Sequence, residues 1–252
     1  MSLPRSVLLL LIIFLLFPGG LPVAATLQRD VSERFMQPQS SEALQRKERS
    51  EAVLRSEGVP INRSLPVVET QTESKRRTQE EVTWRALALL VVAVKGEGLE
   101  QSEVTKIVTK YNLEKHFSPK ELAFIRNPSP SKPDRTQFTW RYEAAWVLLW
   151  SLGYVEKLDK PAAICDVQRA VGFIVDRSVS QFFLDAKLRS QAEILDQADL
   201  IYRYHWAVVD ARIKNQTIPA GLDPGVTMER HYALNWLVGY MDQEWDDITT
   251  DT

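Results

Sequence analysis

The chain has 252 residues, of which 44% are hydrophobic and 25% are charged, and its formal net charge is −2 at pH 7. This composition is typical of a globular protein that buries a large apolar core without help from metals or disulfides. The near-neutral charge, without a basic stripe, argues against a nucleic-acid partner. Cys165 is the single cysteine, which excludes an intramolecular disulfide.

Residues 1–25 have the pattern of a secretory signal peptide. Arg5 precedes an unbroken apolar run over residues 7–17, a Pro-Gly-Gly break follows at Pro18, and small residues precede a cleavage site at Ala25. The apolar run is shorter than the about 20 residues that a membrane span needs, so retention as an anchor is the weaker alternative. We therefore predict cleavage near Ala25, export to the periplasm or the extracellular space, and no membrane span in the mature protein.

Three segments lie between the predicted cleavage site and the main body of the chain. Residues 26–40 mix Gln, Ser, Pro and charge without periodicity, which predicts a flexible spacer. Residues 41–57 carry a narrow apolar stripe among many charges, which predicts a helix that ends at Gly58. Pro60 and Pro66 then favour an extended segment.

Helix-start signals recur along the main body. Thr78 with Glu81, and Ser190 with Glu193, have the spacing of a capping box, and Ser118-Pro119 places a cap residue before a proline at the first helical position. The patterns that follow predict a central helix over 82–94 that Gly96 and Gly98 end, a long helix over 190–214 and a last helix over 226–240. Asp199 and Arg203 on the long helix have the spacing of an acid-base pair, which we expect on its outer surface.

Two of the predicted helices, 82–94 and about 134–152, are apolar nearly all round and should therefore be buried. No window shows sustained alternation with a period of two, so strands are not expected. The sequence predicts an all-α fold in which residues 41–252 form a single compact multi-helix domain around these two central helices.

Several blocks of residues occur in the order typical of a known family: Arg46-Lys47-Glu48-Arg49-Ser50, Leu65-Pro66, the helix over 81–89, Trp140-Arg141-Tyr142-Glu143-Ala144, Ile201-Tyr202-Arg203-Tyr204-His205-Trp206 and Glu229-Arg230-His231-Tyr232-Ala233-Leu234-Asn235-Trp236. Over roughly residues 46–249 the chain resembles the bacterial family named domain of unknown function 4272. The resemblance implies a single helical domain, and it transfers no activity, catalytic residue, cofactor or partner.

The last two long helices carry the polar residues that suggest chemistry: Arg203, His205 and Asp210 on the first, and Glu229, His231 and Asn235 on the second. Neither helix pairs a histidine with another ligand three or four residues away, which is the usual spacing of a metal site. We therefore predict neither a metal nor a cofactor. His205 lies on an apolar face, which favours a hydrogen-bonded core histidine.

Three charged residues lie near the polar N-terminal ends of the two apolar helices. Arg85, Arg141 and Glu143 should be partly buried there, and a buried arginine needs a carboxylate. The available partners are Glu143, Asp210 and Glu229. The resulting network is either a structural link between helices or an acid-base or anion-binding site, and the absence of an accompanying nucleophile favours the structural alternative.

The leading functional hypothesis is an exported, non-catalytic helical protein that binds another protein or the cell envelope. The rival is a hydrolase or a metal-assisted enzyme, and its candidate catalytic residues are Arg141, Glu143, His205, Asp210, Glu229 and His231. If the chain is a binding protein, these side chains should be hydrogen-bonded to one another beneath an exposed apolar patch. If it is an enzyme, some of these polar groups should be unpaired and should face an open pocket.

Overall fold

The structure is a computed structural model that describes residues 41–252, so the predictions for residues 1–25 and 26–40 lie outside the described part. All regular secondary structure within residues 41–252 is helical, which confirms the all-α prediction. The α-helices are α1 (Ser41–Ser56), α2 (Gln79–Glu97), α3 (Gln101–Tyr111), α4 (Pro119–Arg126), α5 (Lys132–Thr139), α6 (Arg141–Ser151), α7 (Val167–Val175), α8 (Val179–Asp185), α9 (Gln191–Ile213) and α10 (Pro224–Val238).

The predicted helix starts are confirmed in atomic detail. In the capping boxes that open α2, α4 and α9, the hydroxyl of Thr78, Ser118 or Ser190 accepts a backbone N–H three residues on. The glutamate at that third position accepts the N–H of the cap residue in return. Such caps satisfy amide groups that the first turn of a helix leaves without an intrahelical partner.

Helices α2 and α6 form the centre of the fold, as predicted. Every residue of α6 is buried, and α2 is buried from Val82 to Ala93 except for Trp84. Helix α6 packs between α2 and α10, while α9 packs between α10 and α1. Across residues 41–252, no helix has both the length and the apolar content that a bilayer crossing requires.

The stretch 134–152, predicted as one helix, forms two consecutive helices. The chain bends at Trp140 and divides this stretch into α5, which is largely exposed, and the buried α6. The Trp140 ring lies against Gly225 at the start of α10, where an added Cβ would approach a ring carbon to 2.6 Å. At this bend the Trp140 ring packs against Gly225, which has no side chain. Helix periodicity does not encode such a tertiary contact.

Gly98 ends α2 as predicted, but Gly96 does not. It lies inside the helix, and a Cβ at this position would come within 2.7 Å of the Thr139 backbone nitrogen. Its missing side chain lets α5 approach the α2 backbone closely. The helix ends one residue before Gly98, whose φ of 120° suits glycine.

Helices α7 and α8 lie in a stretch for which the sequence pattern predicted no helix. Ala170 is the only buried residue of α7, and Phe182 is the only one of α8. These short helices therefore cover the edge of the core without being enclosed by it.

The acid-base pair Asp199 and Arg203 on α9 forms as predicted, but its predicted position on the outer surface is wrong. Arg203 donates two hydrogen bonds to the Asp199 carboxylate, at 2.8 and 2.7 Å, and both side chains are almost fully buried. Arg203 also donates to the backbone oxygen of Pro66 at 3.2 Å. The extended segment over 60–68 covers this face of α9, so the pair became internal.

A second acid-base pair on α9 provides a matched control. Asp210 accepts from Lys214 at 2.8 Å with the same spacing of four residues, but Lys214 is exposed and Asp210 is only partly buried. We expect Asp199→Asn to lower the free energy of unfolding by about 3–5 kcal/mol, because it leaves the buried Arg203 charge uncompensated. Asp210→Asn should cost less than about 1 kcal/mol. Urea unfolding of both variants measures this, and equal losses would contradict the assignment.

Candidate functional site

Two ion pairs join α6 to α10 in the interior. Arg141 donates to the Glu229 carboxylate at 2.8 Å, and Arg230 donates to the Glu143 carboxylate at 3.1 Å. All four side chains are buried. Each helix thus contributes one acid and one base, and the two pairs run in opposite senses between the helices.

Further contacts hold these four groups in place. Glu143 also accepts the backbone N–H of Cys165, and Arg230 donates to the backbone oxygen of Asp159 at 2.7 Å. The Arg141 guanidinium lies over the Tyr232 ring, 4.7 Å from its centre. Burial raises the pKa of the Glu229 carboxyl, and the Arg141 charge opposes that shift. The pairs therefore also fasten the loop between α6 and α7 to the core.

Only part of this network was predictable from the sequence. Arg141, Glu143 and Glu229 were expected to be involved, whereas Arg230 was not expected as the partner of Glu143. The available signal was the order of charges, since Arg141 and Glu143 on one helix complement the adjacent Glu229 and Arg230 on the other.

Arg85 belongs to a different ion pair from the one expected. Its partner is Glu121 of α4, which also accepts the N–H of Ser118 in the capping box. Glu143, Asp210 and Glu229, the three predicted partners, do not bind it. The Arg85 guanidinium also lies over the Trp245 ring, 5.0 Å from its centre. One glutamate therefore starts α4 and ties it to α2.

The two predicted histidines meet in the core between α9 and α10. Their Nδ1 atoms lie 2.9 Å apart, so one ring donates a hydrogen bond and the other accepts it. Burial lowers the pKa of His205 to about 4 and that of His231 to about 3. Both rings are therefore neutral near pH 7. The expectation that His205 is a hydrogen-bonded core histidine agrees with this geometry.

Asp210 does not join the predicted cluster. It pairs with Lys214 near the end of α9, whereas Asn235 donates to the backbone oxygen of Thr249 at 2.8 Å. The six candidate residues thus divide into the ion pairs of α6 and α10, the histidine pair, and one peripheral aspartate.

Cys165 follows the apolar residues Ala162, Ala163 and Ile164, and it is buried. Burial, and next the Glu143 carboxylate, raise the pKa of its thiol. The reactive thiolate is accordingly disfavoured at neutral pH.

Two concavities lie beside residues described above, Arg85 and His231. The larger one, of about 900 Å³, is rimmed by charged residues, but the Trp236 and Trp245 rings at its base are buried. The smaller one, of about 350 Å³, has His231 and Asn235 in its lining together with mostly apolar side chains. Within residues 41–252, no group of three or more His, Cys, Asp or Glu residues is arranged to hold a metal ion.

The comparison with family models matches residues 46–248 to the family described as Domain of unknown function (DUF4272). The chain belongs to this family. The match covers nearly the same residues as the resemblance seen in the sequence, and it includes α6, α9 and α10 with both ion pairs and the histidine pair. No curated protein and no solved structure matches the chain.

The histidine pair predicts how stability depends on pH. Because the folded pKa values lie below the usual value near 6.5, the unfolded state binds protons more readily between these limits. Stability is then complete above about pH 6.5 and falls as the pH decreases towards 4, by at most about 1.4 kcal/mol per pH unit for each histidine.

Urea unfolding between pH 7 and pH 5 measures this slope. The double variant His205→Gln/His231→Gln should lose most of the slope, whatever its absolute stability. His116→Gln should retain most of it, since this ring stacks on Trp84 outside the pair. Titration of the His205 and His231 ring signals near pH 6.5 in NMR spectra would contradict the account.

Proposed function

We propose that the protein is exported and non-catalytic, and that it binds another protein through the exposed apolar residues of α7 and α8. The observation that carries this proposal is the pairing of the candidate catalytic side chains. Arg141, Glu143 and Glu229 are engaged in ion pairs, and His205 is bonded to His231. These groups hold the helices together, which leaves binding as the function that the geometry supports best.

Helix α7 supplies the apolar surface. Six of its nine residues are Val, Ala, Phe or Ile, yet only Ala170 is buried. At its end Val175 is 72% exposed, and in α8 Leu184 is 76% exposed. We call Val175 and Leu184, with the half-buried Phe173 and Phe183, the α7–α8 surface. Exposed apolar side chains mark interaction sites where they form a contiguous patch.

The charges near the α7–α8 surface favour a protein partner over an anionic lipid surface. Arg169 and Arg177 both lie over the Phe173 ring, and Arg177 also pairs with Asp185 at 3.2 Å. Asp166 and Asp176 lie in the same segment, so no basic excess exists to attract lipid headgroups. Arginine and aromatic side chains are enriched at protein interfaces.

The test uses cross-linking in the source organism at native expression, followed by mass spectrometry. The exported form should begin near Thr26. A defined protein should cross-link to wild type and to the control Ile213→Ser, which alters an equally exposed apolar residue at the end of α9. Val175→Ser/Leu184→Ser should lose that partner, and the purified partner should bind wild type at least about tenfold more tightly than the double variant.

Any of three outcomes would overturn the proposal. The first is that the double variant retains the partner. The second is that the protein sediments with protein-free anionic vesicles and that this depends on Val175 and Leu184, and the third is that the protein is found only inside the cell with its leader intact.

A further inference from the structure

The cavity of about 350 Å³ beside His231 changes in character from its floor to its mouth. Its floor consists of buried side chains, which include Ala198, His231 and Val238. Tyr202 and Tyr240 are half-buried and form part of the walls. This size, with mainly apolar walls and a few polar groups, is that of a small-molecule site.

Two carboxylates stand at the exposed mouth. Glu69 and Asp251 line the cavity, and neither makes an ion pair with a Lys or Arg among residues 41–252. The nearby basic groups are already engaged, since Lys75 binds Asp242 at 2.6 Å and Arg203 binds Asp199. Arg46 donates to the backbone oxygen of Glu69 at 3.0 Å, and its charge is paired with Glu42 and Asp196. The mouth therefore carries negative charge that the described part of the chain does not neutralise.

The carboxylates act on each other and on the cavity wall. Partial burial raises the pKa of Glu69, and Glu73 and Asp242 raise it further. The pKa of Tyr240 is raised by burial and then by Asp251 and Glu69. Both mouth carboxylates thus lie close enough to influence the same phenol. A bound cation would relieve this crowding of like charges.

The floor accepts such a ligand without repulsion. His231 is 2% exposed, and its ring uses Nδ1 to bond His205, which leaves Nε2 without a hydrogen-bond partner among residues 41–252. Because the buried ring is neutral, it offers one polar contact and no positive charge.

We propose that this cavity binds a small organic cation, whose apolar body enters between the tyrosine-bearing walls and whose ammonium group remains at the mouth beside Glu69 and Asp251. The apolar body is removed from water by Val67, Val68 and Val238. The ammonium group is attracted by the two carboxylates. This site is separate from the α7–α8 surface, so either proposal stands without the other.

Three probes of similar size and different charge test the proposal: phenethylammonium chloride, phenethyl alcohol and sodium hydrocinnamate. Calorimetric titration of the purified protein at low and high salt measures each Kd. We expect phenethylammonium to bind at least about tenfold more tightly than the alcohol and more tightly still than the carboxylate. Added salt should weaken the binding of the ammonium probe and leave that of the alcohol nearly unchanged.

Variants locate the binding. Glu69→Gln/Asp251→Asn changes only exposed side chains and should raise the Kd of phenethylammonium about tenfold without changing that of the alcohol. The matched control Glu244→Gln/Asp247→Asn removes two exposed acids from the larger cleft and should leave both Kd values unchanged. Val68→Trp should fill the cavity and abolish binding of the ammonium probe, with circular dichroism to confirm that the variant is folded.

The proposal is overturned by any of four results: none of the probes binds, the alcohol or the carboxylate binds as tightly as the ammonium, the mouth variant behaves like its control, or a folded Val68→Trp retains the ammonium probe.

Discussion

The fold depends on the burial of charged side chains that only partners on other helices can neutralise. Arg141 and Glu143 lie on the fully buried helix α6, where an unpaired charge would cost several kcal/mol. Glu229 and Arg230 of α10 supply the matching charges. Apolar packing alone permits many relative positions of two helices, whereas two ion pairs of opposite sense are satisfied together in few of them. The two ion pairs therefore fix the position of α10 against the core.

This constraint determines which parts of the molecule remain available for binding. The interior charges are committed to one another, and Glu143 also holds the chain at Cys165. His231 follows Glu229 and Arg230 on α10. The ion pairs that hold α10 against α6 therefore also position the cavity beside α9. Binding surfaces therefore arise at the edges of the charged core, in that cavity and on the lightly covered α7 and α8.

The helix starts and the two central helices were predictable because both depend on residues that are close together in the sequence. Thr78, Ser118 and Ser190 marked helix starts because a cap and its glutamate are neighbours in the chain. Apolar residues around the whole circumference identified α2 and α6 as central. The family resemblance was confirmed by the match over residues 46–248. The meeting of Arg141 with Glu229 followed from the need of a buried arginine for a carboxylate, although several acids were open as partners.

Contacts between distant segments escaped prediction. The bend at Trp140 depends on Gly225, the burial of Asp199 and Arg203 depends on the segment at Pro66, and the contact of His205 with His231 depends on how α9 crosses α10. Each requires knowledge of which surfaces meet, and a pattern along one helix carries no such information. Helices α7 and α8 were missed because they have only nine and seven residues, which is too short for a sustained periodic pattern.

A double-mutant cycle on Arg141 and Glu229 tests most directly whether the buried pairs hold the fold together. Urea unfolding of Arg141→Met, Glu229→Gln and the combined variant measures the coupling. Each single change should cost about 3–5 kcal/mol, and the combined variant should be at least about 2 kcal/mol more stable than the sum of the two losses predicts. Losses that add within about 0.5 kcal/mol would contradict the account.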